Sequence, residues 1–434
     1  MISNNLPVNG SVKSFAEDHI DPNLLFVGTE FGLYFSNNGG KIWTQLNAGL
    51  PLIAVKDIAI QKRENDLVLA TFGRGFYILD DYSVLRNVHP DDIDKESQLF
   101  AVKDALMFME KDPLTGDEQG WQGDNFYHAS NPPFGATFTY YLKEAYKTKK
   151  QLRKDAEKEA DKKKTDIKLP SYDDSRAEAD EESPMIILTV KDELGNVVRK
   201  LKGENTTGVS RTTWDLRYSS LEPVTNSSST DGKNSAWFVI PGKYSVTMSK
   251  RIDGIETQLG TQVEFVCKPL GTPSIPTKDR STLVAFQRKA AQLQRVVFAT
   301  NNYLNDLTSK ISAVKAALMQ THAATGSTYI TVRDLEVRLI QMKRTFSGDE
   351  IISRRNDAAS PGILTRMNSL TESFLSSYAD ATETQKKAMQ IAVEEFDTVY
   401  ASLKKISEQE LPVLYKDLDS MKSPVIPGRL PDWK

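Results

Sequence analysis

Short apolar runs separated by Gly, Asn and Asp open the chain. Leu24-Leu25-Phe26-Val27-Gly28-Thr29 and Gly32-Leu33-Tyr34-Phe35-Ser36 come first, followed by Ile42-Trp43-Thr44-Gln45-Leu46 and Val55-Lys56-Asp57-Ile58-Ala59-Ile60. Asp66-Leu67-Val68-Leu69-Ala70-Thr71 and Gly75-Phe76-Tyr77-Ile78-Leu79-Asp80 complete the series. Strand-length runs bounded by turn residues predict an antiparallel all-β unit over residues 1–88. Residues 89–135 hold only two local apolar groups, Leu99-Phe100-Ala101-Val102 and Leu106-Met107-Phe108-Met109. They read as an irregular linker, with Trp121, Phe126 and Tyr127 pinned against a neighbouring domain.

Alternation resumes in residues 136–144 and again from Met185-Ile186-Ile187-Leu188-Thr189-Val190. After the turn Asp192-Glu193-Leu194-Gly195-Asn196 come Val197–Leu201, Ser210–Tyr218, Pro241–Met248 and Thr261–Val266. About six or seven antiparallel strands suit an immunoglobulin-like β-sandwich over 136–268. A charged segment, 145–183, interrupts it, with Lys162-Lys163-Lys164 near its centre and Asp180-Glu181-Glu182 at its end. It reads as a solvated helical hairpin or a flexible insertion, with a tail for a charged partner as the alternative. Residues 227–232 read as a mobile loop tip.

Beyond a Gly/Pro linker at 269–276 the period lengthens. Leu283, Phe286, Ala290, Leu293, Val297, Leu304, Leu307, Ile311, Val314 and Leu318 keep a 3-4 spacing, with Thr300 in the remaining place. This heptad seam predicts one helix of about forty residues, N-capped by Thr277 and ~60 Å long. Val332, Leu335, Leu339, Met342 and Phe346 predict a second helix. Ser360-Pro361 caps a third through Ile363, Met367, Leu370 and Phe374. Thr382 and Gln385 form a capping box for a fourth, through Met389, Ala392, Phe396, Val399, Leu403 and Ile406, which Pro412 kinks or ends. The lengths fit a three-layer antiparallel bundle over 277–420 whose middle layer breaks at 347–359; a compact four-helix bundle is the alternative. Residues 421–434 are a tail. The fold class predicted is multidomain α+β.

Charge and chemistry narrow the function classes. A net charge of −3 with no basic face excludes nucleic acid as a partner. No apolar run is long enough for a membrane span, and the first residues lack the features of a signal peptide. The single cysteine, Cys267, lies in an apolar alternation and reads as a buried structural thiol. His19, His89, His128 and His322 are scattered, so no metal site is assigned. There is no G-x-S-x-G, no G-x-G-x-x-G and no P-loop, so neither catalytic residue nor cofactor is assigned. Adjacent Asp80 and Asp81 point to opposite faces of a strand, which leaves a structural pairing with Arg74 as their reading.

Ser36-Asn37-Asn38-Gly39-Gly40-Lys41-Ile42-Trp43 resembles the Asp-box repeat, S/T-x-D-x-G-x-x-W, with Asn38 where Asp is usual. The resemblance makes Ser36, Asn38, Gly40 and Trp43 structural elements of a β-propeller blade, away from the central channel. Together with Asn23–Tyr34, Glu64–Asp81, Asn131–Ala136, Trp214–Arg217 and Pro427–Pro431, the chain resembles the C-terminal region of bacterial sortilin-like propeller proteins, often labelled glycosyl hydrolases. The implication is an exported protein, secreted or in the cell envelope, whose last blade lies in residues 1–88. Its expected partners are the remaining blades or another protein chain, with a glycan or peptide as ligand. The expected role is a non-catalytic portion that supports binding and assembly. The alternatives are an accessory part of a glycoside hydrolase or peptidase whose active site lies in other blades, and a bundle-mediated assembly module. No sialidase-type catalytic residue maps onto the sequence.

Overall fold

A computed structural model of the chain describes residues 5–47, 49–88, 94–110, 129–167, 169–219, 236–271, 278–376 and 379–429. Trp121, Phe126, Tyr127, His89, His128, Thr277 and the loop 227–232 lie outside them. The fold is multidomain α+β, with several small antiparallel sheets and a C-terminal helical region. It divides into two compact units. The first comprises residues 1–107, 112–215 and 242–268; the second comprises 108–111, 216–241 and 269–434.

The first unit begins with β1 (Val12–Glu17), β2 (Leu25–Thr29), β3 (Gly32–Ser36) and β4 (Thr44–Leu46), which pair in chain order as sheet I. β5 (Val55–Gln61), β6 (Asp66–Thr71) and β7 (Phe76–Leu79) form sheet II, followed by a short 3-10 helix, Tyr82–Asn87. One face of sheet I, carrying Leu24, Phe26, Leu33 and Phe35, packs on the face of sheet II that carries Ile58, Leu67 and Leu69. Each such side chain contributes about 1.5–3 kcal/mol when fully buried. The opposite face of sheet I gathers Leu25, Val27, Tyr34 and Trp43 under Leu6.

The remaining strands are β8 (Ser97–Leu99), β9 (Ala105–Met107), β10 (Ala136–Leu142), β11 (Met185–Asp192), β12 (Val197–Gly203), β13 (Gly208–Trp214), β14 (Gly242–Ile252) and β15 (Ile255–Pro269). They form sheet III, ordered β13-β10-β8, and sheet IV, ordered β12-β11-β14-β15-β9. The two sheets meet through aromatic rings: Phe138 lies 5.5 Å from Phe265, and Trp214 lies 5.5 Å from Tyr244 and 6.1 Å from Phe265. The stretch read as irregular thus supplies an edge strand to each sheet. Both strands are three residues long, too short for a periodic signal. Asp104 fixes β9 to β15 by accepting from the Val266 N–H and pairing with Lys268. β15 starts earlier than the sequence pattern indicates, because Asp253 and Gly254, at φ 51° and 79°, make a tight hairpin turn after β14.

The charged insertion carries two helices: α1 (Lys149–Lys162) and α2 (Tyr172–Asp180) each start at a capping box and bury no residue. Arg153 joins them by pairing with Glu178 while also holding Glu157.

In the second unit α3 (Arg280–Leu318) carries the heptad seam, buried along almost its whole length. Thr300 occupies its seam position by returning its hydroxyl to the Val296 carbonyl at 2.7 Å, which satisfies the buried oxygen. The described cap of α3 is Asp279, which accepts from the Ser281 N–H. α4 (Gly326–Ser347), the single turn α5 (Glu350–Arg354) and α6 (Ile363–Ser376) follow. α4 and α6 succeed one another along α3: Lys315 reaches Glu336 near one end of α3, and Phe286 meets Phe374 near the other. α7 (Glu383–Lys405) closes over both, with Phe396 against Phe346 and Glu395 near Arg366. A π-helical turn, Ile406–Glu410, then leads into α8 (Leu411–Ser420), with Pro412 in its first turn. Pro412 therefore sits where the helix is already re-formed and does not end it.

Ser360 does not cap α6. The first helical bond runs from the Arg366 N–H to the Gly362 carbonyl, so Gly362 takes that place. A Cβ at Gly362 would lie 2.5 Å from the Phe346 carbonyl oxygen and 2.6 Å from the Gly348 nitrogen. Gly362→Ala is expected to cost about 1–3 kcal/mol through forced separation of the α4 and α6 ends. Faster amide exchange at Phe346 and Met367 would report it; unchanged exchange would contradict it.

Candidate functional site

The turn after β3 is built by its own side chains. Ser36 Oγ accepts from the Gly40 N–H at 2.9 Å and donates to Asn38 Oδ1 at 2.9 Å. Asn38 Oδ1 also accepts from the N–H groups of Lys41 and Ile42, at 3.1 and 3.0 Å. Gly39 and Gly40 sit at φ 68° and 82°, a conformation that suits glycine. Trp43 is buried and held at its backbone by Asn5, whose side chain accepts from the Trp43 N–H and donates to its carbonyl. The arrangement closes a hairpin and engages Asn38 Oδ1 with three donors. A carboxylate in that place would receive the same three donors as charge-assisted bonds. Asn38→Asp is accordingly expected to be neutral or stabilising by up to about 0.5 kcal/mol in a urea unfolding series.

A second polar cluster lies between sheets I and II, and the sequence reading did not find it. Asp18, just after β1, has its carboxylate fully buried. Arg86 donates to it twice, from Nε at 2.7 Å and Nη2 at 2.8 Å, and Tyr82 Oη donates at 2.5 Å. The N–H groups of Ile20 and Asp21 complete the shell, and Arg86 Nη2 also reaches Asn65 Oδ1 at 2.7 Å. His19 Nδ1 stands 3.3 Å from Tyr82 Oη. Burial alone would push the Asp18 carboxyl up; the bonds from Arg86, Tyr82 and Asp21 outweigh it and hold the group well below the usual carboxylate range. A carboxylate so completely partnered is a poor general base, because its protonation would break the network. These residues stand 64 and 68 positions from Asp18 in the chain, so no local motif could have announced them.

The other candidates resolve simply. Cys267 is buried, and its thiol is pushed up to about 12 by burial and by Asp104. Arg74 does not pair with Asp80 or Asp81. Asp81 caps the 3-10 helix through the Ser83 N–H, and Arg211 donates to the backbone carbonyls of both aspartates. His19 and His322 are far apart in the chain, and no group of three metal-ligating side chains occurs among the described residues. Depressions occur among the described residues. One, of about 380 Å³, lies beside the first turns of α1 and is lined by Lys147, Lys154, Lys158 and Asp155. Another, of about 500 Å³, runs between α3 and α7 along Val296, Ala299, Tyr303 and Tyr400. No helix among the described residues is long and apolar enough to cross a membrane.

Fold and site together define a protein of stacked antiparallel sheets and a helical region, whose polar clusters are occupied in holding structure. No family model matches the chain, and no curated protein matches it. Among solved structures it has a distant match to an extracellular domain from B. thetaiotaomicron, described in one case as part of a one-component system and in another as part of a hybrid two-component system. Identity is 13% to each, with TM-scores of 0.14 and 0.15. The matches cover 60% and 61% of this chain and 25% and 26% of those chains, so this chain spans about a quarter of their length.

Proposed function

We propose that this chain is the non-catalytic C-terminal portion of an exported β-propeller protein and supports protein or glycan binding and assembly. In this reading residues 1–88 are the last blade region, with Ser36, Asn38, Gly40 and Trp43 as its Asp-box. Residues 89–135 join the blade region to an immunoglobulin-like sandwich over 136–268 and lend it the edge strands β8 and β9, 277–420 are a helical bundle and 421–434 a tail. The observation that carries the reading is the stacking of sheets I and II as successive meanders, with the side-chain-closed turn on an outer hairpin of the first. Propellers are built by such repetition. The polar cluster that could have been taken for acid–base machinery is locked around Asp18, which supports a binding role over a reaction.

The test is the native protein. Its mass should exceed that of 434 residues, and it should bind members of a glycan and peptide panel without turning them over. Turnover abolished by substitutions outside these residues would instead make the chain an accessory part of a glycoside hydrolase or peptidase. A native mass equal to that of this chain would sink the propeller reading.

A further inference from the structure

Sheets I and II are two copies of one structural repeat. Phe15 pairs with Val27 and Val27 with Tyr34; at the equivalent places Ile58 pairs with Leu69 and Leu69 with Tyr77. Ala16, Phe26 and Phe35 form the neighbouring row, matched by Ala59, Val68 and Ile78. Both first strands carry a register shift at the same point, after Val12 in one and after Val55 in the other. The correspondence therefore holds residue by residue and assigns each sheet a leading and a trailing face.

The faces are used unequally. Sheet I turns its trailing face, with Phe26, Leu33 and Phe35, onto the leading face of sheet II, with Ile58, Leu67 and Leu69. The trailing face of sheet II has the equivalent residues and no cover among the described residues. Leu33 is 1% exposed and its equivalent Phe76 is 75% exposed; Phe35 is 9% exposed and its equivalent Ile78 is 59% exposed. Phe72, at 69%, extends the patch. Among the described residues sheet II also has no strand on the outer edge of β7, where β4 pairs with β3 in sheet I. Large apolar side chains clustered on one sheet face mark a contact surface, and a bare strand edge is a site for another strand.

We infer that the trailing face of sheet II, centred on Phe76 and Ile78, docks a further antiparallel sheet of the same repeat through that sheet's leading face. The contact continues head to tail the one already made between sheets I and II. A head-to-tail interface joins two different surfaces, so the partner must present a free leading face patterned like Phe15, Leu25, Val27 and Tyr34. A second copy of this chain does not offer one: Leu25, Val27 and Tyr34 are buried on their own sheet with Trp43 and Leu6. On the propeller reading, the occupant is a sheet of the same protein outside these residues. The inference rests on the propeller reading above.

The test compares the 434-residue chain with the native protein by amide hydrogen exchange, supported by Phe76→Asp and Ile78→Asp in both. Exposed side chains tolerate such changes, so the variants should leave the unfolding midpoint of the isolated chain unchanged. In the native protein they should lower it, and the Phe76 and Ile78 amides should exchange at least about 100-fold more slowly than in the isolated chain. A longer native protein with equal exchange in both samples overturns this inference and leaves the propeller reading standing. A native mass equal to that of the chain overturns both. Dimers of the chain that Phe76→Asp dissolves would assign the face to a second copy and overturn the inference alone.

Discussion

Replacing Arg86 with alanine is expected to destabilise the first unit by about 3–5 kcal/mol, the range seen when one partner of a buried ion pair is removed. The magnitude follows from what is left behind. The Asp18 carboxylate has no exposed surface, and Arg86 supplies two of its hydrogen bonds. Without the guanidinium, a buried charge would keep Tyr82, two backbone N–H groups and His19, whose Nδ1 lies 3.4 Å from it. Arg86 also bonds Asn65, which precedes β6, so its loss loosens the join between β1 and sheet II as well as the charge. Arg86→Lys should recover only part, since a single ammonium cannot reproduce the two-pronged geometry. Amide exchange at Phe26 and Leu69 reads this unit separately from the helical one. A loss below about 1 kcal/mol would mean that water enters and replaces the guanidinium, and that the cluster does not hold the sheets together.

The same cluster sets an acid dependence. The folded-state pKa of Asp18 is depressed, so its contribution is complete above the ordinary carboxylate pKa and is lost as pH falls from there toward the folded value. The group protonates more readily unfolded than folded, and the proton uptake favours unfolding. The opening constant at Phe26, with intrinsic exchange divided out, should therefore rise as pH is lowered below about 4, and Arg86→Ala should abolish most of that rise.

What the sequence made legible follows from how local each signal is. The α3 seam, the Thr382–Gln385 capping box and the main strands of sheets I and II rest on spacings of a few residues. β1 escaped because Lys13 and Glu17 break its apolar alternation; its strand character comes from pairing with β2. β8 and β9 escaped because three residues show no period, and sheets III and IV recruit them by their edges. The start of β15 was readable, since Asp253-Gly254 is a strong hairpin signal, but the polar run after it obscured the strand. Gly362 shows the converse: Ser360-Pro361 is a good local cap, and close contact with Phe346 and Gly348 moves the helix start past it. The Asp18 cluster is the limiting case, because its members converge only once both sheets have formed.

Trp43→Ala is the counterpart test at the hairpin turn, and its expected cost is again about 3–5 kcal/mol. The indole is 4% exposed and packs with Leu25, Val27, Tyr34 and Leu6 on the leading face of sheet I. Truncation would remove the largest member of that cluster and open a cavity that the short strand β4, paired through only three residues, is poorly placed to fill. The Asn5 bonds to the Trp43 backbone would survive, because they do not involve the indole. Ser36→Ala should cost less, about 1 kcal/mol, since it removes side-chain bonds to a turn and no packing volume. The ratio between the two variants is the informative quantity. A large Trp43 effect with a small Ser36 effect makes the turn a device for delivering the indole to the sheet, the role expected of a blade hairpin. Equal small effects, each below about 1 kcal/mol, would mean that the indole anchors nothing and would remove the structural basis for assigning these residues to a propeller blade.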